Sequence, residues 1–295
     1  MSTDSDYIKR NGTSKRRETV ARVLWMVGGA IILPAILFLV WELAAVRLGS
    51  NTLLPRVGDV FEVLANPTRD LLGQGSLLYH VYISTIRVLM GFVLGALVAV
   101  PLGMAMGLSE RLRNFVTPFI ELMRPLCPVA WIPFAIIIFG GTTISNLFGQ
   151  RFTMTIFDHI QTAQLFIIAW GAFFPVLINT IDGVRGVRQL WLEAAHTMGA
   201  NRVQKWAKVI LPASFPQILT GLKVGLGVSW MVVIAAELFP GPTAGVGYIM
   251  MEAYAQTEIQ ILAAGLITVG VIGALLNAIL WVVHMLFANW QAKER

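Results

Sequence analysis

Charged residues are scarce. Asp, Glu, Lys and Arg make up 13% of the 295 residues, against 56% apolar ones, and mean hydropathy is +0.71. A soluble domain usually carries about 25% charged residues. A chain of this length could bury a large core, but the charged coat is missing, so the surface must face lipid. Cysteine is almost absent as well. The single Cys127 excludes a disulfide framework within the chain and reads as a small apolar residue of a membrane helix. The four histidines, His80, His159, His196 and His284, lack metal-ligand spacing, so no metal site is expected. No G-x-x-x-x-G-K-[ST] loop is present to cradle ATP phosphates, and no G-x-S-x-G nucleophile arrangement occurs. No catalytic residue and no cofactor of the chain's own is expected. The net charge of +6 does not signal nucleic acid either. The cations cluster at the ends of apolar spans, with no interleaved aromatics, and this fits membrane lipid as the partner surface.

The apolar runs are long. A membrane helix needs roughly 20 mostly apolar residues, and six runs qualify: Val23–Trp41, Val88–Leu108, Pro125–Gln150, Ile160–Ile181, a run from Val224 that continues past Glu237, and Ile259–Ala292. The expected fold is all-α and polytopic, with six transmembrane helices. The first run is too long for a signal-peptide core and lacks a small-residue cleavage site, so it reads as a retained span. With the N-terminus inside, sixteen Lys and Arg fall in inner segments and five (Arg47, Arg56, Arg69, Arg87, Arg151) in outer ones. The positive-inside rule therefore puts both termini in the cytoplasm. Residues 1–22 form a polar cytoplasmic tail, 23–290 one transmembrane domain with a long inner loop at 182–215, and 291–295 a short cytoplasmic tail. On the outside, Leu53–Asn66 predicts a short amphipathic helix entered through Pro55. Residues 141–159 and the Gly- and Pro-rich 239–257 form loops. Trp25, Trp41, Trp281 and Trp290 are placed at membrane interfaces. Gly91-x-x-x-Gly95, Gly103-x-x-x-Gly107 and Gly221-x-x-x-Gly225 predict close helix packing within the bundle, or one face for a second subunit.

Two regions carry candidate chemistry. In the inner loop, residues 191–212 read WLEAAHTMGANRVQKWAKVILP. Arg188–Met198 predicts a helix that Gly199 stops, and Arg202–Ile210 predicts a second helix ending before Pro212. The pair lies flat on the cytoplasmic face. Glu193 offers a carboxylate, and Ala194, Ala195 and Ala200 let another surface approach closely. On physics alone the loop is either a docking element or an amphipathic connector. The second region is the third span, interrupted by Pro118, Pro125, Pro128 and Pro133. Each interior proline frees a carbonyl, tolerated in lipid only against protein or a water-filled cavity. Pro128, Trp131 and Pro133 are therefore candidate path residues, with packed kinks as the alternative. Arg87, Arg124 and Glu237 join them as intramembrane charges, and cations along a path favour an anionic solute. Structural alternatives stand beside this: Arg124 paired with Glu121, Arg87 reaching out to the interface, and Glu237 either paired with Arg87 or capping an outer gate.

Glu193-Ala194-Ala195, then Gly199, Val209 and Leu211-Pro212, resembles the EAA loop of ABC importer permeases, E-A-A-x3-G-x9-I-x-L-P, with Val209 in the isoleucine position. The resemblance extends over residues 80–290. Ser84–Gly95, Pro101–Ser109, Arg124–Gly140, Phe173–Val187 and Ala235–Met250 narrow it to the nitrate, sulfonate, taurine and bicarbonate branch. It implies a type I (MetI-like) importer permease fold in a bacterial inner membrane. Glu193, Ala194, Ala195, Gly199, Leu211 and Pro212 would couple the chain to separate ATPase subunits, which carry the ATP and Mg. A second permease chain forming a homodimer and an extracytoplasmic solute-binding protein complete the implied assembly, which imports a small anion. Gly140–Gln164 departs from the family as an insertion. The competing class is an ion-coupled secondary transporter, which would call for coupling groups within the membrane and inverted repeats.

Overall fold

The computed structural model describes residues 32–50, 52–147, 156–239, 241 and 243–288. These residues are almost wholly helical, and no strand occurs among them. Their only β-type pairings are isolated bridges at Asp70–Ser76 and Thr143–Gln161. Residues 32–48 form α1, followed by α2 (Val57–Ala65), α3 (Leu77–Leu108) and α4 (Glu110–Met123). A 3-10 turn, Pro128–Trp131, leads into α5 (Ile132–Phe139). Then come α6 (Thr162–Arg185), α7 (Gln189–Thr197), α8 (Arg202–Leu238), α9 (Val246–Ala255) and α10 (Ile259–Ala288). The four helices α3, α6, α8 and α10 are long and apolar enough to cross a membrane, and the α4–α5 pair makes five if counted as one broken span. The sixth expected span begins at residues 23–31, which, with Trp25, Arg151, Trp290 and both tails, lie outside the described residues. Its described part, α1, runs past Trp41 to residue 48.

Helix α6 is the spine of the bundle, clamped between α3 and α8 by glycines. A Cβ on Gly95 would sit 2.5 Å from the Ala169 carbonyl, one on Gly91 2.6 Å from Ile168, one on Gly103 2.8 Å from Thr180, and one on Gly107 2.6 Å from Val184. From α8, Gly221 and Gly225 approach Asn179 at 2.7 Å and Val176 at 2.8 Å. In lipid no hydrophobic drive pushes helices together, so backbone approach through small residues supplies the packing. All three G-x-x-x-G faces are used up inside this chain. Gly95→Leu should force α3 off α6 at a cost of about 3 kcal/mol, read as a lowered Tm in detergent. An unchanged Tm would mean that α3 and α6 do not pack through this face.

Around this core the outer elements are tied down locally. Glu42 accepts the Val57 N–H at 2.9 Å, at the start of α2, and the Trp41 indole donates to the Pro55 carbonyl at 2.9 Å. Val60 of α2 packs on Ala263 and Ala264 of α10. The amphipathic helix thus starts two residues after Pro55 and covers the end of α10.

Four expectations are corrected. The uncharged run Pro125–Gln150 is not one span. The chain bends by 85° between α4 and the Pro128–Phe139 segment, because Pro125 and Pro128 deny the helix its donors there, and α5 ends at Gly140 with φ 59°. Cys127 lies at this bend, between helices rather than within one, and is exposed. Residues 239–257 are not an irregular loop, since α9 buries Val246, Gly247, Ile249, Met250 and Ala253. The second loop helix does not stop before Pro212. A π turn at Trp206–Ile210 lets the Leu211 N–H reach back to the Trp206 carbonyl. The ladder is widened where the proline would otherwise clash, and α8 continues unbroken for 37 residues.

Candidate functional site

At one end of the bundle, His80, Ser84 and Arg87 fall on one face of α3 by their i, i+4, i+7 spacing, and all three are buried. They meet Glu237, in the last turn of α8, and the segment leading into α9. Arg87 forms a buried ion pair with Glu237, and its other terminal nitrogen donates to the carbonyls of His159 (2.6 Å) and Ala244 (3.0 Å). Ser84 Oγ lies 2.8 and 2.9 Å from the two Glu237 oxygens and accepts the Val246 N–H at 2.9 Å. Gly247 N–H donates to Glu237 Oε2 at 2.9 Å, and Gly245 N–H to His80 Nδ1 at 3.1 Å. Gly245 has φ 130°, and a Cβ there would lie 2.4 Å from the Glu237 carboxyl carbon. The clasp therefore joins α3, α8, the connection before α6 and the start of α9. His159 Nδ1 and Thr243 Oγ1 add a 2.9 Å contact, and Gln161 donates to the Gly241 carbonyl at 2.6 Å. Of the two readings of Glu237, pairing with Arg87 is the one the structure contains. Beyond the clasp, burial and the Glu252 carboxylate push the Tyr248 phenol up from its usual range.

Arg124 is elsewhere. It is exposed, makes no ion pair with Glu121 or any other described carboxylate, and opens on a cavity of about 320 Å³. Pro128 of the bend, Trp170, Phe174 and Asn179 of α6, and Val224 and Val228 of α8 line it. Neither Arg87 nor Glu237 does. Trp131 stands behind the wall, its ring 5.3 Å from that of Trp170. Pro133 is exposed in the first turn of α5 and does not reach the cavity. Trp170 and Asn179 sit within apolar runs, and their one sequence signal is polar capacity at mid-span.

At the opposite end lies the loop. α7 buries none of its nine residues. The N–H of Gly199 returns to the His196 carbonyl and that of Ala200 to the Ala195 carbonyl, at 2.9 and 3.0 Å, with Gly199 at φ 76°. This is a Schellman stop, and it explains the four-residue step from Ala195 to Gly199. Asn201 and Gln204 then form a capping box that starts α8. Leu192 packs α7 against the cluster formed by Met104 of α3, Val184 of α6 and Ile210 of α8, which Leu211 also joins. Glu193 and Ala194 point away from this anchor and are exposed, as are Leu190 (70%) and Met198 (86%). Ala195 is half-buried, Leu211 sits in the anchor, and Pro212 is exposed.

Membrane-length helices packed through glycines, with a proline-bent segment beside a mid-bundle cavity and a helix lying at one end of the bundle, make this a polytopic membrane bundle. The chain belongs to the binding-protein-dependent transport system inner membrane component family, which matches residues 91–291. It is 42% identical over 84% of its length to a Methanocaldococcus jannaschii protein whose name assigns it, provisionally, as an ABC transporter permease, covering 86% of that protein. The taurine transport system permease protein of Escherichia coli is 32% identical over 88% of each chain. The bicarbonate transport system permease protein of Synechococcus elongatus is 28% identical over 95% of each. The fold resembles that of the inward-facing MetNI methionine ABC transporter, with a TM-score of 0.55 at 16% identity over 72% of this chain and 95% of that one. The family is a membrane component of transport systems and not an enzyme.

Proposed function

We propose that this chain is the permease subunit of an ATP-driven importer for a small anion, paired with a second copy of itself, driven by separate ATPase subunits that bind Mg and ATP, and fed by an extracytoplasmic binding protein. The observation that carries the reading is α7. An isolated nine-residue helix with no buried residue would not persist in water by itself. Here it is stopped at Gly199 and held by Leu192 against a cluster that α3, α6 and α8 share, while Glu193 and its apolar neighbours are left uncovered. Such a helix is suited to receive a partner and pass its displacement into the bundle. On this reading Glu193, Ala194, Ala195 and Gly199 form the ATPase contact, and Leu211 and Pro212, within α8, carry its movement into the bundle. The loop end is cytoplasmic, in line with the Lys and Arg distribution. The clasp end, with α2 and α9, faces the binding protein. The relatives named for taurine, a zwitterion with a sulfonate head, and for bicarbonate support a solute that carries an anionic head.

An ion-coupled transporter would need groups free to exchange ions within the path. Arg87 and Glu237 are committed to each other. The deciding experiment reconstitutes the chain with its ATPase and binding protein in liposomes and follows anion uptake. Uptake is expected to require ATP and to ignore ionophores. Uptake that runs on an ion gradient without ATP would overturn the reading.

A further inference from the structure

The mid-bundle cavity has a composition that selects among anions. We propose that it is a solute subsite for an organic anion, with the anionic head held by Arg124 and Asn179 and an apolar body lying on Trp170 and Phe174. The proposal rests on the importer reading and names its solute class.

Depth is the first argument. Phe174 stands midway along α6, and the same cavity reaches Val224 and Val228 of α8. Arg124 follows α4, whose Ile120 packs against Ala99 and Leu177 within the bundle. At that level the Arg124 guanidinium is exposed to the cavity and has no carboxylate partner among the described residues, so it is open to an anion from the path. The second argument is spare donor capacity. Asn179 donates one amide hydrogen to the Pro175 carbonyl at 2.8 Å and accepts from Gln217 at 3.1 Å, so its other amide hydrogen is uncommitted.

The third argument excludes a bare inorganic ion as the best fit. Arg124 and Asn179 are the two residues with a charged or amide side chain among eleven that line the cavity. Nitrate or bicarbonate binds through hydrogen bonds on all sides and would leave most of its oxygens against carbon. The volume of about 320 Å³ falls at the lower end of pockets that hold organic ligands, about 300–1,000 Å³. The aromatic wall continues behind it, with Trp170 packed on Trp131, Phe166, Phe173 and Phe174 at centroid distances of 5.2–6.3 Å. A one-headed anion with a short alkyl or aryl body, such as a sulfonate, satisfies both parts of the site.

The test uses the complete permease–ATPase complex in lipid nanodiscs, without binding protein, titrated calorimetrically with methane-, butane- and hexanesulfonate and with nitrate and bicarbonate. Kd is expected to fall about three- to fourfold per added methylene, with both inorganic anions weaker than hexanesulfonate. Arg124→Gln should weaken every sulfonate at least tenfold, Arg124→Lys less, and Val224→Trp should abolish the chain-length dependence by filling the apolar side. No saturable sulfonate binding, equal affinity for nitrate or bicarbonate, or indifference to both Arg124→Gln and Val224→Trp would overturn the subsite. ATP-driven uptake, measured with the same complex reconstituted in liposomes together with its binding protein, separates this from the importer reading. Its loss would sink that reading, whereas uptake with flat titrations would sink the subsite alone.

Discussion

Glu237→Ala or Arg87→Ala will melt the clasp end of the bundle, at a cost of about 3–5 kcal/mol each, because either change leaves a buried charge without its counterion. The pair does more than cancel charge. Arg87 also satisfies the carbonyls of His159 and Ala244, and Glu237 satisfies the N–H of Gly247 and the Ser84 hydroxyl. The double change Arg87→Met with Glu237→Met should therefore recover only part of the loss, since those backbone groups remain buried and unpartnered. Arg87→Lys should behave nearly as badly as alanine, because one ammonium cannot reach a carboxylate and two carbonyls with the fork of a guanidinium. Gly245→Ala should match the single charge deletions, with its Cβ forced to 2.4 Å from the Glu237 carboxyl carbon. Thermal unfolding of the purified variants in detergent, arranged as a double-mutant cycle, measures this. Single variants that melt with the parent chain would mean that the pair contributes nothing to holding α3, α8 and α9 together.

What could be read from the sequence follows the range of the interactions. The loop was legible almost residue by residue, since its determinants are local: the N–H groups of Gly199 and Ala200 close α7 on the carbonyls of His196 and Ala195, and Asn201 caps α8 three residues ahead. The glycine faces were legible as packing, but only the structure assigns all of them to α6. Arg87 and Glu237 stood out as charges in apolar runs, while their pairing spans 150 positions and depends on a turn of α9 that composition disguised as loop. Ser84 and Gly247 carry no local mark of their role. The 85° bend could be located through Pro125 and Pro128, but not its angle, because an unbroken apolar run has no polar face to show where the chain turns. Pro212 misled in the other direction. It predicts a helix end, and a single π turn absorbed it. The cavity was visible only through Arg124, because Trp170, Asn179 and Val224 become neighbours by the packing of α6 against α8.

Glu193→Lys and Gly199→Val should abolish ATP-driven uptake, with at least a tenfold fall, while leaving the bundle intact. The separation follows from the anchor. α7 buries nothing of its own, so reversing the charge of exposed Glu193 removes no internal contact and acts only on a partner. Gly199 has open space where a Cβ would stand but holds φ 76°, a conformation that costs a β-branched residue roughly 1–2 kcal/mol. Valine there should unwind the Schellman stop and re-aim α7 without disturbing α3, α6 or α8. Leu192→Ala makes the complementary cut: the contact surface survives, but the pin to Met104, Val184 and Ile210 is loosened. The ATPase should then bind with parental affinity and hydrolyse ATP with little uptake. Three measurements on each variant sort the outcomes, namely Tm in detergent, ATPase co-purification and uptake per ATP hydrolysed. Glu193→Lys should lose co-purification at an unchanged Tm, and Leu192→Ala should lose only the uptake ratio. If all three variants transport at the parental rate, α7 is a connector lying on the membrane surface, and the force must enter through another part of the chain.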